Sequence, residues 1–228
     1  MNRDKHLSGE LINFSKKIGI DIIGFADPKD FAKFKEDNRP IAYLNSVKTV
    51  IIFGIHLYDV ILDAWSLDQS TGKSFHYLDS ILENRALRIE RFLQNKEFES
   101  KIMPYNPGIY LKDSAVLAGL GFIGKNNLLI SSKYGPQVRL RAVITNAPLL
   151  TDKNNHESSK CGECDKCIQA CPAEALTVEG YDKKACYSYN MSNLKKLSNY
   201  TSIWCNVCID VCPFNDEKFK SNLKGFSL

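Results

Sequence analysis

The sequence lacks long apolar runs. None of its 228 residues belongs to a stretch approaching the ~20 apolar residues needed to cross a bilayer, so no membrane span is expected. It also lacks an export signature: the start, Met-Asn-Arg-Asp-Lys-His, leads into no apolar h-region and carries no twin-arginine pair, and the expected location is the cytoplasm. Charge of one sign is not in excess. A formal net charge of +4 permits a nucleic-acid partner without arguing for one, because a solvated basic surface gives the same balance. No internal repeat of 20 to 50 residues is present, which excludes solenoids and propellers.

What remains is a chain of 44% apolar and 25% charged residues, the balance of a globular protein, long enough for one ordinary domain and a small one. Residues 3 to 18 predict an amphipathic helix on Leu7, Leu11, Ile12, Phe14 and Ile18, stopped by Gly19. Ile20 to Ala26 and Val47 to Ile55 predict strands, the second apolar enough to be central, with a short helix at Phe31 to Phe34 between them. The longest helix is expected from Phe75 to Asn95. A strand follows at 101 to 104, then a turn at Asn106-Pro107-Gly108, a short helix from Asp113 to Lys125, and strands at Asn127 to Ser131 and Val138 to Thr145. Arg139 and Arg141 share one strand face, either to clamp a phosphate or, by default, as a solvated face with ion-pair partners. The polar run within Ala147 to Lys160 reads as a linker. The expected organisation is therefore α+β: an α/β layer module at 1–150 and a metal-wrapped module at 151–228.

All eight cysteines fall between Cys161 and Cys212. Cys161-x-x-Cys164-x-x-Cys167-x-x-x-Cys171-Pro172 is the bacterial ferredoxin run. Cys205-x-x-Cys208-x-x-x-Cys212-Pro213 is the same run less one cysteine, and Cys186 lies upstream to complete it. Disulfides would need an oxidising compartment, so thiolate ligands are the better reading. In two-cluster ferredoxins the fourth cysteine of each run crosses to the other cluster. By that logic Cys161, Cys164, Cys167 and Cys212 hold one 4Fe–4S cluster, and Cys186, Cys205, Cys208 and Cys171 hold the other. Two tetrahedral zinc sites are the alternative, but three cysteines at two-residue spacing followed by Cys-Pro suit a cube corner better than a zinc knuckle.

Other motifs carry less. Gly119-x-Gly121-x-x-Gly124 matches the dinucleotide fingerprint, and Gly119 to Asn126 comes within one residue of a P-loop, but both require a helix where a strand is expected. Asp4-x-His6-x-x-Gly9 matches a cobalt-ligating pattern yet lies at the entry to a helix, where Asp4 or Ser8 serves more simply as a cap. His56, His76 and His156 have no partner at metal-ligand spacing and default to core or surface roles. Asp113, beside Ser114 and before an apolar run, reads first as a helix N-cap.

The cysteine runs, Cys186-Tyr-Ser-Tyr, Cys212-Pro-Phe-Asn215 and the segment Lys112 to Ile130 together resemble the epoxyqueuosine reductase family, cobalamin-dependent iron–sulfur enzymes akin to reductive dehalogenases. The resemblance covers about 110 to 215 strongly. It implies a nitroreductase-like α/β module that holds cobalamin, followed by a ferredoxin-like double-cluster module. The clusters would reduce cobalamin to Co(I) for reductive deoxygenation or elimination on an electrophilic substrate. Asp113 matches the family's general acid, and Gly121, Gly124, Lys125 and Asn126 match its cobalamin-side loop. A low-potential donor such as a flavodoxin or ferredoxin is implied. Family members that act on tRNA usually continue into a helical-repeat domain, whereas this chain ends at Leu228, which puts the tRNA substrate in doubt. The rival reading is a ferredoxin-type electron-transfer protein serving a partner, without catalysis of its own, and a flavin in the first module is a third.

Overall fold

A computed structural model describes residues 3–67, 70, 73–151 and 160–215. In chain order the elements are α1 (Lys5–Lys17), β1 (Ile22–Ala26), β2 (Thr49–His56), β3 (Trp65–Leu67), β4 (Ser74–His76), α2 (Tyr77–Gln94), β5 (Ser100–Ile102), α3 (Leu111–Leu117), β6 (Gly121–Ile123), β7 (Leu129–Ser131) and β8 (Val138–Thr145). The cysteine stretch adds α4 (Lys166–Gln169), α5 (Lys183–Ser192), β9 (Lys195–Lys196), β10 (Ser202–Ile203) and α6 (Val207–Asp210). Among the described residues no helix is long and apolar enough to cross a membrane.

Two compact units interleave in sequence. One comprises the described residues of Met1–His56, Ile81–Gly121 and Arg139–Glu157, and the other those of Leu57–Ser80, Phe122–Val138 and Ser158–Leu228. The expected division at residue 150 therefore misses two excursions, 57–80 and 122–138, that pack with the cysteines. The reason is long-range pairing, such as Trp65 of β3 opposite Ser202 of β10, which no local pattern announces.

In the first unit a four-stranded sheet runs in the order β1-β2-β8-β5, with β1 antiparallel to β2 and β5 antiparallel to β8. β2 is buried along all but its last residue, as its unbroken apolar run requires of a central strand. α1 begins at Asp4, whose carboxylate accepts from the Leu7 N–H at 2.8 Å, so the histidine motif there is a capped helix start. Phe14 of α1 stacks on Phe92 of α2 with ring centroids 4.7 Å apart, and Leu11, Ile89 and Leu93 are fully buried. α3 lies against β1 and β2.

Three expectations change here. Arg141 is neither solvated nor free for a phosphate: it is buried, its Nε and Nη2 donate to Glu83 Oε2 at 3.0 and 2.5 Å, and Nη1 donates to the Met103 carbonyl. From Leu140 to Thr145 every residue of β8 is buried, so both faces of the strand are covered there and a polar side chain on it must be paired. The helix expected from Asp113 to Lys125 ends at Leu117, and residues 121–123 are strand. The position that caps α3 is Tyr110, which places Asp113 in the first helical turn and not at the cap.

In the second unit a small sheet runs β4-β3-β10-β9, and β6 pairs with β7. Trp65 of β3 stacks on His76 of β4 at 5.8 Å and on Trp204 at 4.9 Å, an aromatic layer in place of a broad aliphatic core.

Candidate metal centre

The two cysteine runs fold as copies of one device. Cys167 and Cys208 sit on one-turn helices, α4 and α6, which touch each other. Each turn is closed by the same bonds: Ile168 N–H to Asp165 O and Ile209 N–H to Asn206 O, both 2.8 Å, then Ala170 N–H to Lys166 O at 3.0 Å and Val211 N–H to Val207 O at 3.1 Å. The crossing cysteines close the turns equally, Cys171 N–H on Ile168 O at 3.3 Å and Cys212 N–H on Ile209 O at 3.1 Å. Cys-x-x-Cys-x-x-x-Cys-Pro thus encodes a short hydrogen-bonded turn whose last cysteine joins the thiols of the other run, and the proline ends it.

All eight cysteines are free thiols. Cys161, Cys164, Cys167 and Cys212 line one concavity, together with Lys125, Asn126 and Phe214. Burial pushes the Cys212 thiol up, and the charges of Cys161, Cys167 and Cys164 push it further. Burial likewise raises Cys208 to about 12, helped by Cys205, Cys167, Cys171 and Cys186. Cys205 is raised by burial, with Cys171 and Cys186 its facing thiols. The eight sulfurs therefore fall into two neighbourhoods that adjoin at Cys167 and Cys208. Among the described residues no three His, Cys, Asp or Glu side chains group closely enough to hold a single metal ion.

The residues behind the thiols complete the site. Lys125 Nζ donates to the Gly162 carbonyl at 2.8 Å, inside the first cysteine run. Asn126 is buried; its Oδ1 accepts from the Leu128 N–H at 3.2 Å and its Nδ2 reaches the Cys208 carbonyl at 3.5 Å. A Cβ on Gly124 would stand 2.8 Å from both Asn126 Oδ1 and the Ile130 side chain, so any larger residue would force one of these side chains to shift. Gly121 opens β6. With a strand following these glycines, the dinucleotide and P-loop patterns have no helix N-terminus to offer a phosphate. Asp113 is half-buried on α3, in the first unit. His156 lies outside the described residues.

Sequence reasoning gave four residues no part in the site. Asn190 is buried beside Cys186 and Cys205, bonded to both. Burial, helped by the nearby thiols of Cys186, Cys208 and Cys171, holds the Tyr181 phenolic proton on well above the usual range. Asn215 is buried with both amide atoms unpartnered among the described residues, three positions past Cys212, and His76 has its Nδ1 buried without a hydrogen-bond partner. Only Asn190 left a sequence signal: it stands four residues after Cys186, one helical turn on.

Comparison with known proteins fits this geometry. Residues 160–215 match the 4Fe-4S double cluster binding domain, so the cysteines are those of a double-cluster module. An epoxyqueuosine reductase of Leadbetterella byssophila is 34% identical over 174 residues, 68% of this chain and 56% of that protein. The crystal structure of an epoxyqueuosine reductase with an epoxyqueuosine-modified tRNA stem loop superposes with a TM-score of 0.69 at 24% identity, over 93% of this chain and 66% of that one. A reductive dehalogenase whose structure suggests a mechanism for B12-dependent dehalogenation gives a TM-score of 0.66 at 16% identity, over 96% of this chain and 33% of that one.

The fold and the double-cluster domain define an α+β iron–sulfur protein of the architecture shared by epoxyqueuosine reductases and reductive dehalogenases. Within that class the chain is a relative of the epoxyqueuosine reductases, as the resemblance over 110 to 215 implied. It spans less than two thirds of the length of the first curated relatives it matches.

Proposed function

We propose that the chain is a cobalamin-dependent iron–sulfur reductase acting on an electrophilic substrate, with epoxyqueuosine in tRNA the first substrate to test. The observation that carries the reading is the gathering of eight free thiols into two adjoining sets beside a fold shared with epoxyqueuosine reductases. Cys161, Cys164, Cys167 and Cys212 are assigned to one cluster, and Cys186, Cys205, Cys208 and Cys171 to the other. The donor set fits, because thiolates are the ligands such clusters require and none of these sulfurs is consumed in a disulfide.

Cobalamin, when bound, supplies the strongly reducing cobalt chemistry of this enzyme class. The chain's own residues have three tasks. The cysteines hold the clusters that receive electrons one at a time from a low-potential donor such as a flavodoxin or ferredoxin. Asp113 is assigned as the acid that gives a proton to the leaving oxygen; its carboxyl is not spent on capping α3, which leaves it available. Gly121, Gly124, Lys125 and Asn126 are assigned to the cobalamin border, with Lys125 and Asn126 also walling the first thiol set. The tRNA assignment draws on the related reductase with its bound stem loop.

Optical titration of the anaerobic, iron-loaded protein with cobalamin tests the reading. Base-off binding shifts the cobalt absorption. An unchanged spectrum through saturating cobalamin would leave an electron-transfer protein as the better account, and a yellow flavin-bearing preparation would favour a flavin instead.

A further inference from the structure

Cys186 is the ligand that lies outside both cysteine runs, and it does not stand alone. α5 starts on Asp182, whose carboxylate accepts from the Lys184 and Ala185 N–H groups at 2.8 and 3.0 Å, so the helix has a fixed first turn. Cys186 and Asn190 then lie four residues apart on one face of it. Asn190 is only 5% exposed. Its Oδ1 accepts from the Cys205 N–H at 2.6 Å, across 15 residues of chain. A backbone N–H can only donate, so that bond fixes which way the amide points. The Nδ2 group must then face Cys186, and it does, 2.9 Å from the Cys186 carbonyl and 3.6 Å from Cys186 Sγ.

We propose that Asn190 is a positioning residue of the second cluster, locking Cys186 to Cys205 and donating an N–H to the Cys186 sulfur, and that this bond raises the reduction potential of that cluster above what its cysteines alone would set. The physical reason is charge. Reduction adds an electron that is spread partly onto the ligand sulfurs, and a donor already aimed at one of them stabilises the reduced state more than the oxidised. In a buried setting the same bond is electrostatically stronger than in water. The inference rests on the assignment of Cys186 and Cys205 to one cluster.

The test is an EPR-monitored redox titration of the full chain, iron-loaded, as Asn190→Asp and as Asn190→Leu. Asp keeps the acceptor for the Cys205 N–H and removes the N–H donor, whereas Leu keeps the volume and removes both. The expected result is that both variants retain about eight iron per chain. One of the two couples then moves to lower potential by on the order of tenfold in its equilibrium constant, 59 mV for one electron. The other couple stays in place. Two unmoved couples in fully loaded variants overturn the inference, and so does loss of half the iron from both variants, which would make Asn190 scaffold only. A wild-type protein that binds no clusters would instead sink the cluster reading itself, so the two failures are separable.

Discussion

Gly135→Ala tests how tightly the β7 turn holds the first thiol set. Gly135 has φ +54°, a left-handed conformation that costs an ordinary side chain about 1–2 kcal/mol. The larger effect is steric. A Cβ built there stands 1.9 Å from the Phe214 carbonyl oxygen, and real Cβ atoms essentially never come within 3.0 Å of a neighbour. Either Phe214 moves by about 1 Å or the mutual Ser131–Gly135 backbone bonds, 2.8 and 3.1 Å, break. Phe214 is two residues past Cys212, and the Asn215 N–H bond to the Cys212 carbonyl at 3.0 Å passes any shift back to the cysteine. Metal ligands tolerate displacements of only about 0.2 Å, so the 1 Å shift decides the matter. Gly135→Ala should lose roughly 2–4 kcal/mol of stability and fall from about eight iron per chain to about four after anaerobic reconstitution. Gly135→Asn separates the causes: Asn tolerates the left-handed backbone but still carries the Cβ, so it should lose iron as Ala does. Full iron content and an unchanged Tm in both variants would refute the reasoning.

Two further predictions concern protons. Asp113→Asn should leave iron content and cobalamin binding unchanged while lowering turnover by roughly 10²- to 10⁴-fold, the range for losing a general acid; wild-type turnover would remove Asp113 from the mechanism. In the cluster-free protein, Cys208 is raised from an ordinary thiol value of 9.0 to about 12, so its contribution to stability is present below about pH 9 and lost as pH rises toward 12. Thermal melts at rising pH should therefore show the cluster-free protein losing Tm above about pH 9. A Tm flat to pH 11 would contradict the burial and thiolate crowding that raise Cys208.

Much of this was readable from local signals. The cysteine spacing, the Asp4 cap and the central apolar strand β2 each follow from residues within one helical turn or one pleat of each other. What escaped depends on separation. That 57–80 packs with the cysteines rests on Trp65 meeting residues of β10 and Trp204 far along the chain. Arg141 looked solvated because alternation on β8 is a property of one strand, whereas its buried partners, Glu83 of α2 and the Met103 carbonyl, lie far from it in sequence. Lys125 and Asn126 were matched to a cobalamin loop by motif, and only the fold shows them also walling the thiols of Cys161, Cys164, Cys167 and Cys212. Asn190 was missed because its spacing from Cys186 gains meaning only with the bond to Cys205, 15 residues on.

The most direct test of the proposed activity is conversion of epoxyqueuosine by the iron-loaded protein with a low-potential reductant, with and without cobalamin, on a tRNA stem loop and on the free nucleoside. The account predicts queuosine only when cobalamin is present, and none from Asp113→Asn. Conversion that proceeds equally without cobalamin, or no conversion of either substrate by a protein that carries both clusters and cobalamin, would contradict it.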